Sequence, residues 1–346
     1  MALRSVLLGV AASLVLAGCA SAPPRAAPPL PVTLGGVAFS SMQWQVKLGE
    51  IPSAEIGVGL HRDLQEALDS LDGTLSTYRP DSELMRFNRH PVGEWLPVSP
   101  PLLRGVVTAI EVGVLSQGAY DITVGPLVEL WGFGASTAPA AMPSAEAIAA
   151  ARAALGARHI RIDRDRHALV RLRDIRLDLS SLGEGAGVDA LAAVLERAGV
   201  ESYLVTVAGT ARVRGVRPDG DAWQMAIEQP DGNRLPARRL QLADHVVSTS
   251  GAYRNFREIA GRRYSHTIDP ETGYPVTHAG VSVTVVLPAT AGAQRADALA
   301  TAFNVLGPDR GLALAGEQGL AVLYIERAGE GLRERWSPAF EVFLSR

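Results

Sequence analysis

Asp297 and Thr301 stand four residues apart in Ala296-Asp297-Ala298-Leu299-Ala300-Thr301-Ala302, a spacing that turns both side chains to one face of a helix. A carboxylate, a hydroxyl and nearby backbone carbonyls are the oxygen donors a hard cation such as magnesium takes, with substrate phosphates completing the shell. An ordinary helix could carry the same pair, the acid favouring the N-terminal dipole and the threonine bonding to the preceding turn. Ser248-Thr249-Ser250-Gly251 follows the apolar Val246-Val247, so a strand end there would offer hydroxyls and backbone N–H groups to an anion. Arg254, just beyond, adds a forked donor suited to phosphate. His266 lies among Ser265, Thr267 and Asp269, where a neighbouring carboxylate would orient the imidazole for proton transfer. The other six histidines occupy surface, edge or turn contexts.

Several familiar chemistries are excluded. The chain has no lysine-bearing phosphate loop, no HExxH, no GxSxG and a single cysteine, Cys19, which cannot build a thiolate zinc cluster. With 346 residues, 47% of them hydrophobic and 20% charged, there is enough apolar mass for one large domain or two ordinary ones. The formal charge of -3, with Lys47 the only lysine, argues against nucleic-acid binding.

Elements to carry these residues are legible in the hydrophobic pattern. Partial alternation over Val37 to Leu48 predicts a strand, and Ile56, Leu60, Leu64, Leu68 and Leu71 mark a helix over Ala54 to Leu71. Further helices are predicted at Pro101 to Ser116, Ser144 to Leu155, Val188 to Ala198, Arg295 to Leu306 and Asp309 to Gln318. Strands are predicted at His159 to Ile162, Ala168 to Leu172, Tyr203 to Val207, Trp223 to Glu228, Val246 to Thr249, Val281 to Leu287 and Leu320 to Ile325. Adjacent strand pairs, without strict βαβ alternation, predict an α+β body of mixed or antiparallel sheets flanked by helices. Ala135 to Pro143 reads as a surface loop or a divide between subdomains.

The N-terminus is separate. Arg4 leads into the apolar run Val6 to Leu16, short for a membrane span and typical of a secretory signal. Leu16-Ala17-Gly18-Cys19 resembles the bacterial lipobox, which implies cleavage of residues 1–18 and a lipid on Cys19; the alternative is an exported protein with an incidental cysteine. Residues 19–33 form a proline-rich tether and residues 34–346 the folded body. Ala20 matches the outer-membrane sorting pattern, so the chain is expected on the periplasmic side, anchored to the outer membrane.

Six segments in order resemble the FAD:protein FMN transferases, the ApbE flavin transferases: Ser76 to Asn88, Tyr120 to Gly134, Asp178 to Asp189, Thr249 to Arg254, Ser265 to Pro275 and Ala296 to Ala302. The resemblance implies the ApbE-like fold. It also implies FAD as substrate with magnesium, cleavage of its pyrophosphate, transfer of FMN to a threonine or serine hydroxyl of an acceptor flavoprotein, and release of AMP. By the family pattern Asp297, Thr301 and the backbone oxygen of Gly183 hold the metal, and Thr249, Ser250, Gly251 and Arg254 line the phosphate region. His266 is the candidate acid/base, with Asp297 the alternative. Ser76 and Tyr78 would contact the flavin or adenine, Asp121 and Thr123 the same pocket or its scaffold, and Met42 and Asp189 complete the cofactor-binding set.

Three segments differ from the family pattern. Ser40-Ser41-Met42 stands where Met-Gly-Thr is usual, Gly183-Glu184-Gly185-Ala186 where Ala-Lys-Gly-Tyr or Phe is usual, and Ala208-Gly209-Thr210 where Gly-Gly-Glu is usual. Glu184 exchanges a cation for an anion beside an anionic dinucleotide, which is unfavourable in sign. Two alternatives follow: a non-catalytic flavin-binding or assembly lipoprotein, and hydrolysis of FAD to FMN and AMP.

Overall fold

The structure, a computed structural model, describes residues 32–49, 54–134, 142–230, 235–251, 253, 255–259 and 261–344. The signal-like segment, Cys19, Arg254 and residues 135–141 of the Ala/Pro-rich stretch lie outside the described residues. The chain opens with β1 (Val32–Ala38) and β2 (Met42–Leu48), an antiparallel hairpin where the sequence pattern predicts one strand. Phe39 and Ser40, at φ of 48° and 67°, make the turn, so the alternation on either side belongs to two strands. Val32 and Thr33, assigned to the tether, are already in this sheet.

Then follow α1 (Ala54–Leu75), α2 (Glu83–Arg89), β3 (Leu96–Pro97), α3 (Pro100–Leu115), α4 (Gly125–Leu130), α5 (Ala145–Ala153), β4 (Ile160–Asp163) and β5 (Ala168–Arg171). Next come α6 (Gly183–Arg197), β6 (Tyr203–Val207), β7 (Thr210–Arg214), β8 (Trp223–Glu228), β9 (Pro236–Leu242), β10 (His245–Gly251), β11 (Phe256–Ile259) and β12 (Arg262–Ser265). The chain closes with β13 (Gly280–Pro288), α7 (Ala293–Gln318), β14 (Ala321–Ala328) and β15 (Gly331–Trp336). The main sheet is eight-stranded and antiparallel throughout, in the order β1-β2-β6-β7-β10-β13-β14-β15. The expected α+β class is therefore realised with antiparallel sheets.

Central strands carry near-continuous apolar runs because both faces are buried. Tyr203, Val205, Val246, Val285 and Tyr324 point into the large core beneath α1, α3, α6 and α7. Leu204, Val247, Val286 and Leu323 point into a second core, closed by Trp223, Leu240 and Phe340 from the β8-β9 hairpin and the C-terminal 3-10 turn. A third cluster, around Trp131, Ile148, Tyr264 and Ile268, joins α4, α5 and the β11-β12 hairpin.

The two helices expected at 295–306 and 309–318 are present as the two halves of α7, which is broken at Gly307 (φ 73°) ahead of Pro308. Pro308 has no N–H for the carbonyl of Asn304, and His278 Nε2 occupies that place at 2.7 Å. Gly280 N–H donates to His278 Nδ1 at 3.2 Å, which assigns the proton to Nε2. The helix α6 begins at Gly183, five residues before the predicted start at Val188, since Gly185 and Gly187 obscure the apolar period.

Candidate functional site

The end of β10, the β6-β7 turn, the start of α6, the first half of α7 and the loop after β12 surround a cleft of about 1230 Å³. Met42, Tyr78, Asp121, Thr249, Ser250, Gly251, His266, Asp297 and Thr301 all line it. Segments separated by more than two hundred residues thus meet at one place.

Asp297 is buried on α7, and its Oδ2 accepts the Gly185 N–H of α6 at 2.8 Å. Ser248 Oγ donates to the other oxygen at 3.3 Å. One turn on, Thr301 Oγ1 lies 3.5 Å from Ser250 Oγ and donates to the carbonyl of Ser181 at 3.4 Å. Gly185 makes this approach possible, because a Cβ there would sit 2.3 Å from the Ala293 carbonyl oxygen. Gly183 opens α6 two residues before the N–H that binds Asp297, so it lies in the same turn. Thr249 Oγ1 pairs with Thr284 Oγ1 at 2.9 Å, and Gly251 leaves room for the Tyr253 ring, 2.6 Å from where a Cβ would stand.

His266 follows β12 directly, opposite Asn255 across the β11-β12 pair. The Asn255 carbonyl accepts both its backbone N–H, at 3.2 Å, and Nδ1–H, at 3.0 Å, which leaves Nε2 with the open lone pair. Burial pushes the imidazole pKa down, partly offset by that carbonyl. The expected orienting group, Asp269, is engaged elsewhere: its Oδ1 accepts Glu271 N–H at 2.8 Å within its own turn. Thr267 ties this loop to α7 through Asn304 Nδ2 at 2.8 Å. His278, Asn304 and Thr267 therefore link the α7 break to the residue beside His266.

Two residues assigned to the cofactor set, Asp189 and Ser76, serve the scaffold instead, and Thr123 takes the scaffold alternative of its assignment. Asp189 caps α7, accepting Ala293 N–H at 2.9 Å and Gln294 N–H at 3.0 Å, and pairs with Arg212 at 3.4 Å. Thr123 is buried, donating to Asp121 Oδ1 at 2.6 Å and accepting Gly156 N–H at 2.7 Å. Ser76 accepts Tyr78 N–H at 3.2 Å and so shapes the turn that presents the exposed Tyr78 ring to the cleft.

Two of the departures from the family pattern converge. Glu184 Oε2 accepts Gly209 N–H at 2.8 Å and reaches Thr210 Oγ1 at 3.4 Å, so the carboxylate absent from position 210 is supplied to that turn from α6. Thr210 in turn meets Ser248 Oγ at 2.8 Å, which continues the network to Asp297. At the third departure, the positive φ values fall on Phe39 and Ser40 and not on Ser41, so the turn is made without a glycine.

Burial, and then the neighbouring Glu184 charge, push the Asp297 carboxyl well above the usual carboxylate range. Among the described lining residues, Asp121, Glu129, Asp178, Glu184, Glu228 and Asp297 are acidic and Arg176 alone is basic. That balance of charge disfavours an anionic ligand unless a cation accompanies it. The donor set of carboxylate, hydroxyls and backbone oxygens suits a hard cation, and among the described residues no cluster of three His, Cys, Asp or Glu competes as a metal site.

Residues that the sequence pattern left unmarked also matter. Asn88 bonds both backbone groups of Leu177 at 2.8 Å and lines the cleft, and Arg176 is its basic lining residue. Asn88 closes a matched segment, whereas nothing in the alternation around Arg176 distinguishes it.

Comparison with known proteins identifies the family. The model of the ApbE family matches residues 41–324. The FAD:protein FMN transferase of Klebsiella pneumoniae is 40% identical over 345 residues, covering 99% of this chain and 97% of that protein. The apo crystal structure of the Pseudomonas stutzeri flavinyl transferase ApbE superposes with a TM-score of 0.81 at 39% identity, covering 91% of this chain and 97% of that one. The flavin transferase ApbE of Vibrio cholerae gives 0.82 at 36% identity, covering 90% and 99%.

Proposed function

The chain belongs to the ApbE family and is an enzyme that transfers flavin from FAD to a protein, and we propose that it does so with magnesium, onto a threonine or serine hydroxyl. The observation that carries this reading is the Asp297, Thr301 and Ser250 cluster lining the same acidic cleft as His266. Asp297, Thr301 and the backbone oxygen of Gly183 would hold magnesium, which when bound supplies the positive charge that the FAD pyrophosphate requires.

The chain's own residues supply the rest. The Ser250 and Thr249 hydroxyls and Gly251 line the phosphate end, and the Tyr78 ring offers a face for a planar heterocycle at the mouth. The acceptor oxygen bonds to the flavin-side phosphorus while the bond from that phosphorus to the bridging oxygen breaks. AMP leaves with the bridging oxygen, and the hydroxyl proton passes to His266 Nε2, the ring nitrogen left open by the Asn255 bond. The Leu16-Ala17-Gly18-Cys19 sequence supports a lipid on Cys19 and a site of action on the periplasmic side of the outer membrane. Acyl labelling of the chain, lost in Cys19→Ala, tests that part.

The catalytic reading is tested by following AMP release and covalent flavin on a threonine-bearing acceptor, with and without magnesium, for the wild type and Asp297→Ala. Metal-dependent release of both products, lost in the variant, is the expected result. AMP without acceptor labelling would replace transfer by hydrolysis.

A further inference from the structure

The small sheet β3-β5-β4 turns one face to the main core through Leu96, Ile160, Ile162 and Leu169. Register fixes what the other face carries. Arg161 pairs with Val170 across β4 and β5, and Leu96 pairs with Leu169 across β3 and β5. The preceding residue, Trp95, therefore falls opposite Val170 from the other side. One residue past β5, Leu172 N–H bonds the His159 carbonyl at 2.8 Å, which continues the register. Since side chains alternate across a strand, Trp95, Leu172, His159 and Arg161 share the face turned away from that core, where they flank the buried Ala168 and Val170. Trp95 and Leu172 are 47% and 45% exposed.

Positive charge concentrates around this small sheet. Residues 152–176 hold eight arginines against three aspartates, in a chain of formal charge -3. Arg158, Arg161 and Arg173 are exposed, and none has a carboxylate partner among the described residues, unlike Arg164 and Arg166 nearby. Arg161 Nη1 donates to the Arg158 carbonyl at 2.7 Å, a Cβ on Gly156 would stand 3.0 Å from the His159 ring and 3.4 Å from Arg158 Nη1, and Arg173 directly follows Leu172, so the three arginines neighbour His159. Desolvation of the ring, and then their fields, hold its imidazole below the usual pKa. His159 Nε2 has no hydrogen-bond partner among the described residues.

We infer that this face docks onto an anionic phospholipid bilayer, with Arg158, Arg161 and Arg173 on headgroup phosphates and Trp95 and Leu172 at the interface. Guanidinium groups pair with phosphate oxygens, and an indole beside an aliphatic side chain is suited to headgroup depth. An acidic protein would satisfy the arginines but gives no comparable reason for exposed Trp95 and Leu172 beside them. Arg176, three residues beyond Arg173, lines the cleft, so docking would fix the height of the cleft mouth above the bilayer. The inference does not depend on a lipid at Cys19 or on the transfer reaction.

The test uses the processed chain, residues 19–346, carrying Cys19→Ser so that no lipid anchors it, mixed with brominated phosphatidylcholine vesicles, with or without phosphatidylglycerol, and reads quenching of tryptophan fluorescence. Quenching is expected with phosphatidylglycerol only, reversed by raised salt and largely lost in Trp95→Phe. Replacing Arg158, Arg161 and Arg173 by glutamine should weaken binding about fivefold per arginine. Equal quenching in the two vesicle types, or quenching unchanged in Trp95→Phe, would overturn the inference. So would a triple variant that binds vesicles normally but shows a raised KM for the acceptor, since the face would then belong to a protein. Circular dichroism of each variant separates these results from misfolding.

Discussion

A carboxyl group buried beside a second acid is costly to ionise, and Asp297 is held in that position by Gly185 and Ser248. In the metal-free chain the folded state keeps a proton that the unfolded chain releases near the ordinary aspartate pKa of about 3.9. The stability this gives is complete below about pH 4 and is lost as pH rises through the higher folded pKa. Metal-free Asp297→Asn should therefore exceed the wild type in stability at pH 8, by about 1–2 kcal/mol. Its Tm should also no longer rise with magnesium, which thermal scans at two pH values check. His266 has the opposite shift: burial lowers its pKa, so the neutral imidazole persists below about pH 6.5. His266→Ala should cost about 10²–10⁴ in transfer rate and remove the acidic limb of the pH-rate profile.

Contacts between α6 and α7 set the position of these groups. A methyl group at Gly185 would meet the Ala293 carbonyl oxygen at 2.3 Å, so Gly185→Ala must part the two helices. A loss of about 3 kcal/mol in urea unfolding is expected, together with weakened magnesium binding. Asp189 acts at the same junction as a cap and not as a ligand. Asp189→Ala should lower stability by about 1 kcal/mol while the KM for FAD stays unchanged; a selective rise in KM would return Asp189 to the cofactor site.

At the scale of the molecule, the sheet is buried on both sides, and the second core depends on a short C-terminal turn. Phe340 is fully buried there against the face opposite the cleft helices. Phe340→Ala should destabilise the chain by about 3–5 kcal/mol, read as a lower urea midpoint, with near-normal activity in the molecules that remain folded. The helices α6 and α7 that carry the Asp297 cluster pack on the other face of the sheet from Phe340, so stability and chemistry separate at this position.

The α+β class, the main helices and most central strands followed from local periodicity, because apolar spacing reports which face an element buries. The Asp297/Thr301 pair, the TSG turn and His266 were legible as types at fixed spacing. The hairpin at Phe39-Ser40 and the early start of α6 were not, since positive φ values and glycine packing leave no hydrophobic period. Nor did adjacency in sequence give partners: Asp269 is three residues from His266, yet the Asn255 carbonyl orients the ring through strand pairing. The coupling of Glu184 to the Gly209-Thr210 turn spans 25 residues and exists only once α6 lies against the sheet. Side-chain chemistry is set by local residue identity, whereas orientation, burial and charge pairing arise when distant segments pack and exclude water. That is why the reaction class was readable in the chain, and the roles of Asp189, Thr123 and Glu184 were decided by its tertiary structure.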